Sequence, residues 1–271
     1  MTMVLQDTTF KQLRDFIYEK CGIFIPETKK YLLEKKLTTR LDQRHLSTFD
    51  EYLPYLRSSL NGDEIGKLFD AVTVNETYFF REPQQLDVFL NSVIARVIEQ
   101  KGLRDIRVWS AACSTGEEPY TIAMMLMEKK ICAKLEIFGS DISGSVLDAA
   151  QKGVFGSYSM RNVAEPYLSK YFKKNSAGHE LATIVKNVVK FMNINLIDEK
   201  KVRTLQGMDV IFCRNVLIYF DEKAKQKAVS LLYDSLRPGG FLIIGSAESL
   251  HNVTRAFKPV LFNKVVAYQR A

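Results

Sequence analysis

I-R-V-W-S-A-A-C-S-T-G-E-E-P-Y, Ile106 to Tyr120, is the stretch from which the fold is read. Ile106 to Cys113 is apolar and small enough for a buried parallel strand. Ser114-Thr115-Gly116 reads as a tight turn. Pro119 suits the first turn of a helix, where its missing N–H costs nothing. The helix is expected over Tyr120 to Lys130, with Ile122, Met125 and Leu126 forming an apolar stripe. Strand, small-residue turn and helix make the first unit of a nucleotide-binding α/β sheet. A second strand, Leu135 to Ser140, ends in Asp141, about 25 residues beyond Gly116. That is near the spacing at which an acid accepts hydrogen bonds from ribose hydroxyls.

The turn has one glycine, where a dinucleotide fingerprint has three, so close approach of a pyrophosphate is disfavoured. A nucleoside without phosphates fits better, S-adenosylmethionine foremost. The competing reading is a plain βαβ turn with Asp141 as a helix cap.

The 271 residues suffice for one large or two modest domains, and 46% hydrophobic with 25% charged residues is a globular balance. Cys21, Cys113, Cys132 and Cys213 show no C-x-x-C spacing, which argues against a zinc site or disulfide framework. No metal is expected, and a reducing compartment is the default. The first residues lack the pattern of a signal peptide, and no apolar run has the length of a membrane span. The net charge of +7 favours an acidic partner without choosing among nucleic acid, membrane and protein.

Residues 1–74 read as a helical domain. Thr8 or Thr9 is placed to cap a first helix carrying Phe10, Leu13, Phe16 and Ile17. A second helix is expected from Thr28 to Arg44, with Leu33, Leu37 and Leu41 on one face. On another face Lys29, Lys36 and Arg40 fall nearly in line at about 100° per residue. They read either as a solvated face or as a contact for an acidic partner. Helices near 48–58 and 62–72 follow. V-T-V-N-E-T-Y-F-F-R-E-P, Val72 to Pro83, then reads as a capped junction or as a lid over the ligand crevice, before a helix around 84–100.

Beyond Asp141 a helix is expected from Gly144 to Lys152, a loop over 153–156 and a helix or strand over 165–172. A small antiparallel insertion lies within about 154–192, with H-E-L-A-T-I-V-K as its alternating strand. Core strands are expected at Lys190 to Asn195, Met208 to Arg214 and Phe241 to Gly245. A helix from Glu222 to Leu236 is closed by an Arg237-Pro238-Gly239-Gly240 turn. The chain ends in a hairpin turning at Asn263-Lys264. The fold class is therefore α/β: a Rossmann-like doubly wound sheet over 75–271 with an antiparallel C-terminal hairpin, a small β insertion and a helical N-terminal domain.

N-E-T-Y-F-F-R-E (75–82), S-T-G-E-E-P-Y (114–120), G-S-D-I-S (139–143), F-C-R-N-V-L-I-Y-F (212–220) and R-P-G-G-F-L-I-I-G (237–245) closely resemble the CheR-type chemotaxis receptor glutamate methyltransferases. The match runs in order along essentially the whole chain. The resemblance implies a cytoplasmic, monomeric enzyme that moves a methyl group from S-adenosylmethionine to glutamates on the helical bundle of chemoreceptors. It implies that Asn75, Thr77 and Arg81 line the cofactor from the lid side and that Glu117 meets it at the first turn. By the same resemblance Asp141 holds the ribose, Asn195 and Leu196 border the adenine, and Arg214 and Asn215 lie beside the methionine half. Arg81 and Tyr219 would lie close to the transferred methyl. The helix bearing Lys29, Lys36 and Arg40 corresponds to the receptor contact. Some family members grip a receptor C-terminal peptide with the β insertion, and here the 175–185 loop is short beside theirs.

A nucleic-acid or other protein methyltransferase on the same cofactor fold is the alternative. Cytosine C5 chemistry needs a nucleophilic cysteine, typically after proline. Cys213 follows Phe212 and reads as core. The proline clamp of adenine N6 enzymes is replaced by R-N-V-L-I-Y. A third reading is a non-catalytic cofactor-sensing or receptor-binding module, which the Asn75, Arg81, Glu117, Asp141 and Asn215 set argues against. His45, His179 and His251 are scattered and carry no role in any of these readings.

Overall fold

The computed structural model describes residues 4–58, 63–102, 105–130 and 134–271, so Cys132 and Gly62 lie outside the described residues. Helices α1 (Asp7–Cys21), α2 (Lys30–Arg44), α3 (Phe49–Ser58) and α4 (Asp63–Val72) come first. Then follow α5 (Pro83–Val88), a π-type turn (Phe89–Val93) and α6 (Ile94–Lys101). The core runs β1 (Ile106–Ala111), α7 (Glu117–Lys129), β2 (Leu135–Asp141) and α8 (Gly144–Lys152). The insertion holds β3 (Val154–Phe155), α9 (Ser157–Met160), α10 (Glu165–Tyr171), β4 (Phe172–Asn175), β5 (Gly178–Leu181) and α11 (Thr183–Lys186). The chain closes with β6 (Val189–Asn193), α12 (Glu199–Val202), β7 (Met208–Cys213), α13 (Glu222–Ser235), β8 (Leu236–Ile244), β9 (Phe257–Phe262) and β10 (Val265–Arg270).

The main sheet has seven strands in the order β6-β2-β1-β7-β8-β10-β9. The first five are parallel, and β10 pairs antiparallel with both β8 and β9. After β1 the chain winds outward through β2 to β6, then returns to place β7 on the other side of β1. The carboxyl ends of β1 and β7 are therefore the topological switch point, where sheets of this kind bind ligands.

Both faces of the sheet are buried, and the side chains divide with a period of two. Val108, Val210, Phe212, Phe241 and Ile243 pack against α5 to α7 and the insertion. Trp109, Ile211, Cys213, Leu242 and Ile244 pack against α13. A third cluster, including Phe10, Leu13, Leu33, Leu37, Leu41, Tyr52 and Leu68, forms the helical N-terminal core.

Several boundaries differ from the sequence expectation. Helix α1 begins at Asp7, so Thr8 and Thr9 lie inside its first turn and do not cap it; the Thr9 hydroxyl bonds Asp50 on α3 instead. Helix α7 starts at Glu117, three residues before the expected Tyr120. The alternating stretch after Gly178 is strand only to Leu181, and Thr183–Lys186 is a helical turn packed on α7. Arg237 to Gly240 is not a turn between helix and strand: it lies within β8, where the pairing with β7 shifts register between Met208 and Val210. The insertion is a three-stranded sheet, β3-β5-β4, so the expected 153–156 loop carries a short strand. Its β4–β5 hairpin turns within two residues, Ser176 and Ala177. Among the described residues no helix is long and apolar enough to cross a membrane.

Candidate active site

A cavity opens at the switch point, and every wall comes from a different part of the chain. The turn after β1 supplies Ala112, Cys113 and Ser114, the end of β2 supplies Asp141 and Ile142, and the segment after β6 supplies Ile194, Asn195 and Leu196. The segment after β7 supplies Arg214, Asn215, Val216, Tyr219 and Phe220. Residues 72–77 and Arg81 cover it as a lid, and Cys21 and Ile23 close it from the N-terminal domain.

The turn after β1 is bent sharply, with Ala112, Ser114 and Gly116 all at positive φ. At Gly116 a Cβ would stand 2.8 Å from the Ala150 Cβ, so only glycine lets α7 pack this close to α8. The bend aims the Ser114 N–H at Asp141, whose Oδ2 accepts it at 2.9 Å, while Oδ1 accepts from the Ser143 N–H at 3.0 Å. Asp141 is 6% exposed. Burial raises its pKa, and the backbone donors oppose that rise without cancelling it. Each carboxylate oxygen keeps acceptor capacity for a further donor. Two adjacent hydroxyls, as on a ribose, match that set. Ile142, Ile194, Leu196 and Val72 provide apolar surface beside it. A lining of this kind suits a nucleoside, and the same cavity carries a set of charged and polar groups.

Those polar groups are interlocked. Arg214, whose side chain is 2% exposed, donates from Nε to Glu118 Oε2 at 2.6 Å and from Nη1 to the Arg81 carbonyl at 3.0 Å and Gln85 Oε1 at 3.2 Å. Glu118 also accepts from the Ser110 hydroxyl at 2.6 Å. The arginine therefore ties the lid to the sheet. The lid is fixed a second time where the Ser114 hydroxyl donates to the Asn75 carbonyl at 3.0 Å. Thr77 lines the same wall.

Arg81 is half-buried and donates one hydrogen bond, from Nη1 to the Glu76 carbonyl at 3.0 Å. Its guanidinium lies 5.6 Å from the Tyr78 ring. Tyr219 lines the same cavity, and its hydroxyl pKa is pushed up by burial, with the Arg81 charge acting in the opposite direction. Phe24 N–H donates to the Tyr219 carbonyl at 2.9 Å, and Asn195 Nδ2 donates to the Lys20 carbonyl at 2.7 Å. The N-terminal domain is thereby pinned to two walls of the site.

The structure brings Asn75, Thr77, Arg81, Asp141, Asn195, Leu196, Arg214, Asn215 and Tyr219 to one cavity. Glu117 is not among them. It is 1% exposed and faces the insertion, accepting from Thr115 Oγ1 at 2.7 Å and Ser159 Oγ at 2.8 Å. The neighbouring Glu118 lines the cavity instead. The two differ by about 100° of helix rotation, and a helix taken to start at Tyr120 leaves that phase undefined.

The expected line of three free cations, Lys29, Lys36 and Arg40, is also not there. Lys36 Nζ donates to the carbonyls of Val72 and Thr73 at 3.1 and 3.0 Å, and burial lowers its pKa. Arg40 makes a two-point contact with Glu64, at 3.1 and 2.7 Å. Both face α4, which the sequence pattern could not place. Lys29 alone of the three is exposed.

Cys213 ends β7 fully buried, and burial holds its thiol well above the usual range. Both argue against a nucleophilic role and for a place in the core.

A doubly wound sheet finished by an antiparallel hairpin, with an acid ending its second strand and a cavity at the switch point, is the arrangement of an S-adenosylmethionine-dependent methyltransferase. The chain belongs to the CheR methyltransferase family: residues 75–266 match the SAM binding domain of that family and residues 8–73 its all-alpha domain. It is 38% identical over 272 residues to chemotaxis protein methyltransferase 2 of Vibrio cholerae, covering 99% of this chain and 94% of that protein. It is 37% identical over 248 residues to the chemotaxis protein methyltransferase of Borreliella burgdorferi, covering 88% and 87%. The corresponding protein of Escherichia coli K12 is 34% identical over 262 residues, 94% of this chain and 89% of that one.

Proposed function

We propose that this methyltransferase esterifies glutamate side chains on the cytoplasmic helical bundle of chemotaxis receptors. The observation that carries the reading is the placement of Arg81 and Tyr219 on one cavity with Asp141, in a chain whose relatives are chemotaxis protein methyltransferases over nearly their whole length.

S-adenosylmethionine, when bound, supplies an electrophilic methyl group on a sulfonium. Asp141 would hold the ribose, and Leu196 with Ile142 would flank the adenine. Glu118, Arg214, Asn215, Asn75 and Thr77 would surround the remainder. A glutamate side chain has a pKa of about 4.3 and is already a carboxylate at neutral pH. No residue of the chain has to take a proton. The work left is positioning and exclusion of water. Among the described residues Arg81 makes one hydrogen bond and has several N–H donors to spare, which suits it to grip the incoming carboxylate. Tyr219 would donate a hydrogen bond beside it.

Residues 1–74 would recognise the receptor, with Lys29, exposed in the turn just before α2, as one available cation. A tritiated-methyl transfer assay tests the whole reading. Receptor signalling fragments, RNA and DNA are offered separately. Base-labile label on the receptor fragment alone is expected, and label on nucleic acid would overturn the proposal.

A further inference from the structure

Three backbone N–H groups converge beside the cavity, and none is used by a helix or strand. They belong to Asn215 and Ile218, after β7, and to Gly245, after β8. One side chain satisfies all three. Glu248 Oε2 accepts from Asn215 at 2.8 Å and Gly245 at 2.7 Å, and Oε1 accepts from Ile218 at 3.3 Å. The Glu248 N–H in turn donates to the Gly245 carbonyl at 2.9 Å, which closes the turn that presents the carboxylate.

The surroundings are shaped to this contact. A Cβ at Gly245 would lie 2.8 Å from Glu248 Oε2 and 3.0 Å from the Asn215 nitrogen, so the approach needs glycine. Asn215 is held at φ 58, a left-handed conformation uncommon for a residue other than glycine. Ile218 immediately precedes Tyr219 in the short 3-10 turn Leu217–Tyr219. Glu248 itself does not line the cavity.

We infer that Glu248 is a positioning residue for methyl transfer: its carboxylate fixes Asn215 against the cofactor and sets the turn that carries Tyr219. The inference rests on the glutamate methyltransferase reading for its kinetic consequence only. An anion is the right group for the place, because hydrogen bonds from N–H to a carboxylate are stronger than those to a neutral acceptor. Neutral glutamine of the same shape can keep its oxygen on Asn215 and Gly245. It would then turn its NH2 toward the Ile218 N–H, donor against donor. The two parts of the brace can therefore be separated.

The test compares wild type, Glu248→Gln and Glu248→Ala. Measurements are steady-state methylation of a receptor signalling fragment, calorimetric affinity for S-adenosylhomocysteine, and amide hydrogen exchange at Asn215, Ile218 and the β7 residue Val210. For Glu248→Gln the expected result is a fall in kcat of about tenfold or more, the worth of one charge-assisted hydrogen bond. Product affinity should stay within about twofold, and exchange should quicken at Ile218 but not at Val210. Glu248→Ala should lose product affinity as well, with faster exchange at Asn215. Unchanged exchange at Ile218 together with wild-type kcat in both variants would overturn the inference. If wild type itself labels no receptor, the function proposed above falls, and exchange with product affinity still decides the brace.

Discussion

Glu118 and Arg214 form a 2.6 Å ion pair between the first turn of α7 and the end of β7, with side-chain exposures of 13% and 2%. The pair spans the switch point. It also anchors the lid, since the same guanidinium holds the Arg81 carbonyl and Gln85.

Removing Glu118 leaves the buried Arg214 guanidinium with Glu82, at the longer distance of 3.8 Å, as its one carboxylate partner among the described residues. Glu118→Ala is expected to lower stability by about 3 kcal/mol, within the range for broken buried pairs. It should also weaken S-adenosylhomocysteine, because the lid loses its tie. Denaturant unfolding and calorimetry on the same protein check both effects. Unaltered values for both would show that the pair is dispensable.

Glu117 makes the opposite prediction, though it is the adjacent residue. Burial raises its pKa, opposed by the Thr115 and Ser159 hydroxyls. A carboxyl whose folded pKa is raised binds its proton more tightly in the folded state. Its contribution to stability is then full below its ordinary pKa and is lost as pH rises through the raised value. Glu117→Gln removes the charge, and both hydroxyls can rotate to suit the amide. The variant should be at least as stable as wild type at neutral pH, and wild type should regain ground as the solution is acidified. Urea unfolding of both proteins from pH about 7.5 down to about 4.5 measures this. A wild type that loses ground on acidification would refute it.

The basic residues of α2 and of the turn before it divide by what they touch. Glu64, 1% exposed, accepts from Arg40, Arg44 and the Tyr52 hydroxyl. Arg44 still pairs Glu64 when Arg40 is removed, so Arg40→Ala should cost about 1.5–3 kcal/mol of stability, the range for hydrogen bonds to a charged group, seen as a fall in Tm. Lys29→Glu should leave Tm alone and raise the KM for receptor about two- to fivefold at low salt, with the difference shrinking as salt is added. A Tm loss in Lys29→Glu, or a KM change without Tm loss in Arg40→Ala, would reverse the division.

Asp141→Ala should weaken S-adenosylmethionine and S-adenosylhomocysteine by about 1.5–3 kcal/mol, the range for hydrogen bonds to a charged group. The carboxylate also satisfies the Ser114 and Ser143 N–H groups, so a loss of stability should accompany the change. Asp141→Asn keeps an acceptor and separates the two effects. Its stability should recover more than its affinity. Full cofactor affinity in folded Asp141→Ala would remove the ribose role.

What the sequence shows well are the features with a period or a fixed spacing. The buried strand Ile106–Ala111, its small-residue turn and Asp141 are local patterns, and the sheet follows from them. The Asn263-Lys264 hairpin is equally local, because both residues take positive φ. What it hides depends on partners distant in the chain. Lys36 and Arg40 look like a free stripe until α4 is packed against them. Glu117 and Glu118 look interchangeable until the helix phase is fixed. Glu248 stands in the A-E-S-L stretch with no motif around it, and only the folded loops reveal three N–H groups at its carboxylate.

Arg81 carries the sharpest prediction about chemistry. On the proposed function two carboxylates would compete for it, the incoming glutamate and the methionine end of the cofactor. Arg214 sits deeper and is already committed to Glu118. Arg81 is half-buried, makes one hydrogen bond among the described residues, to the Glu76 carbonyl, and lines the same cavity as Tyr219. That placement favours the incoming glutamate. Arg81→Ala should then reduce kcat at saturating cofactor and receptor by about tenfold to a hundredfold while changing product affinity little, because a positioning error acts on the transition state. Arg81→Lys should rescue poorly, since an ammonium lacks the planar fork. Single-turnover methylation alongside calorimetry with S-adenosylhomocysteine distinguishes the cases. A large loss of product affinity with kcat intact would move Arg81 to the cofactor, and an unchanged kcat with unchanged affinity would remove it from the site altogether.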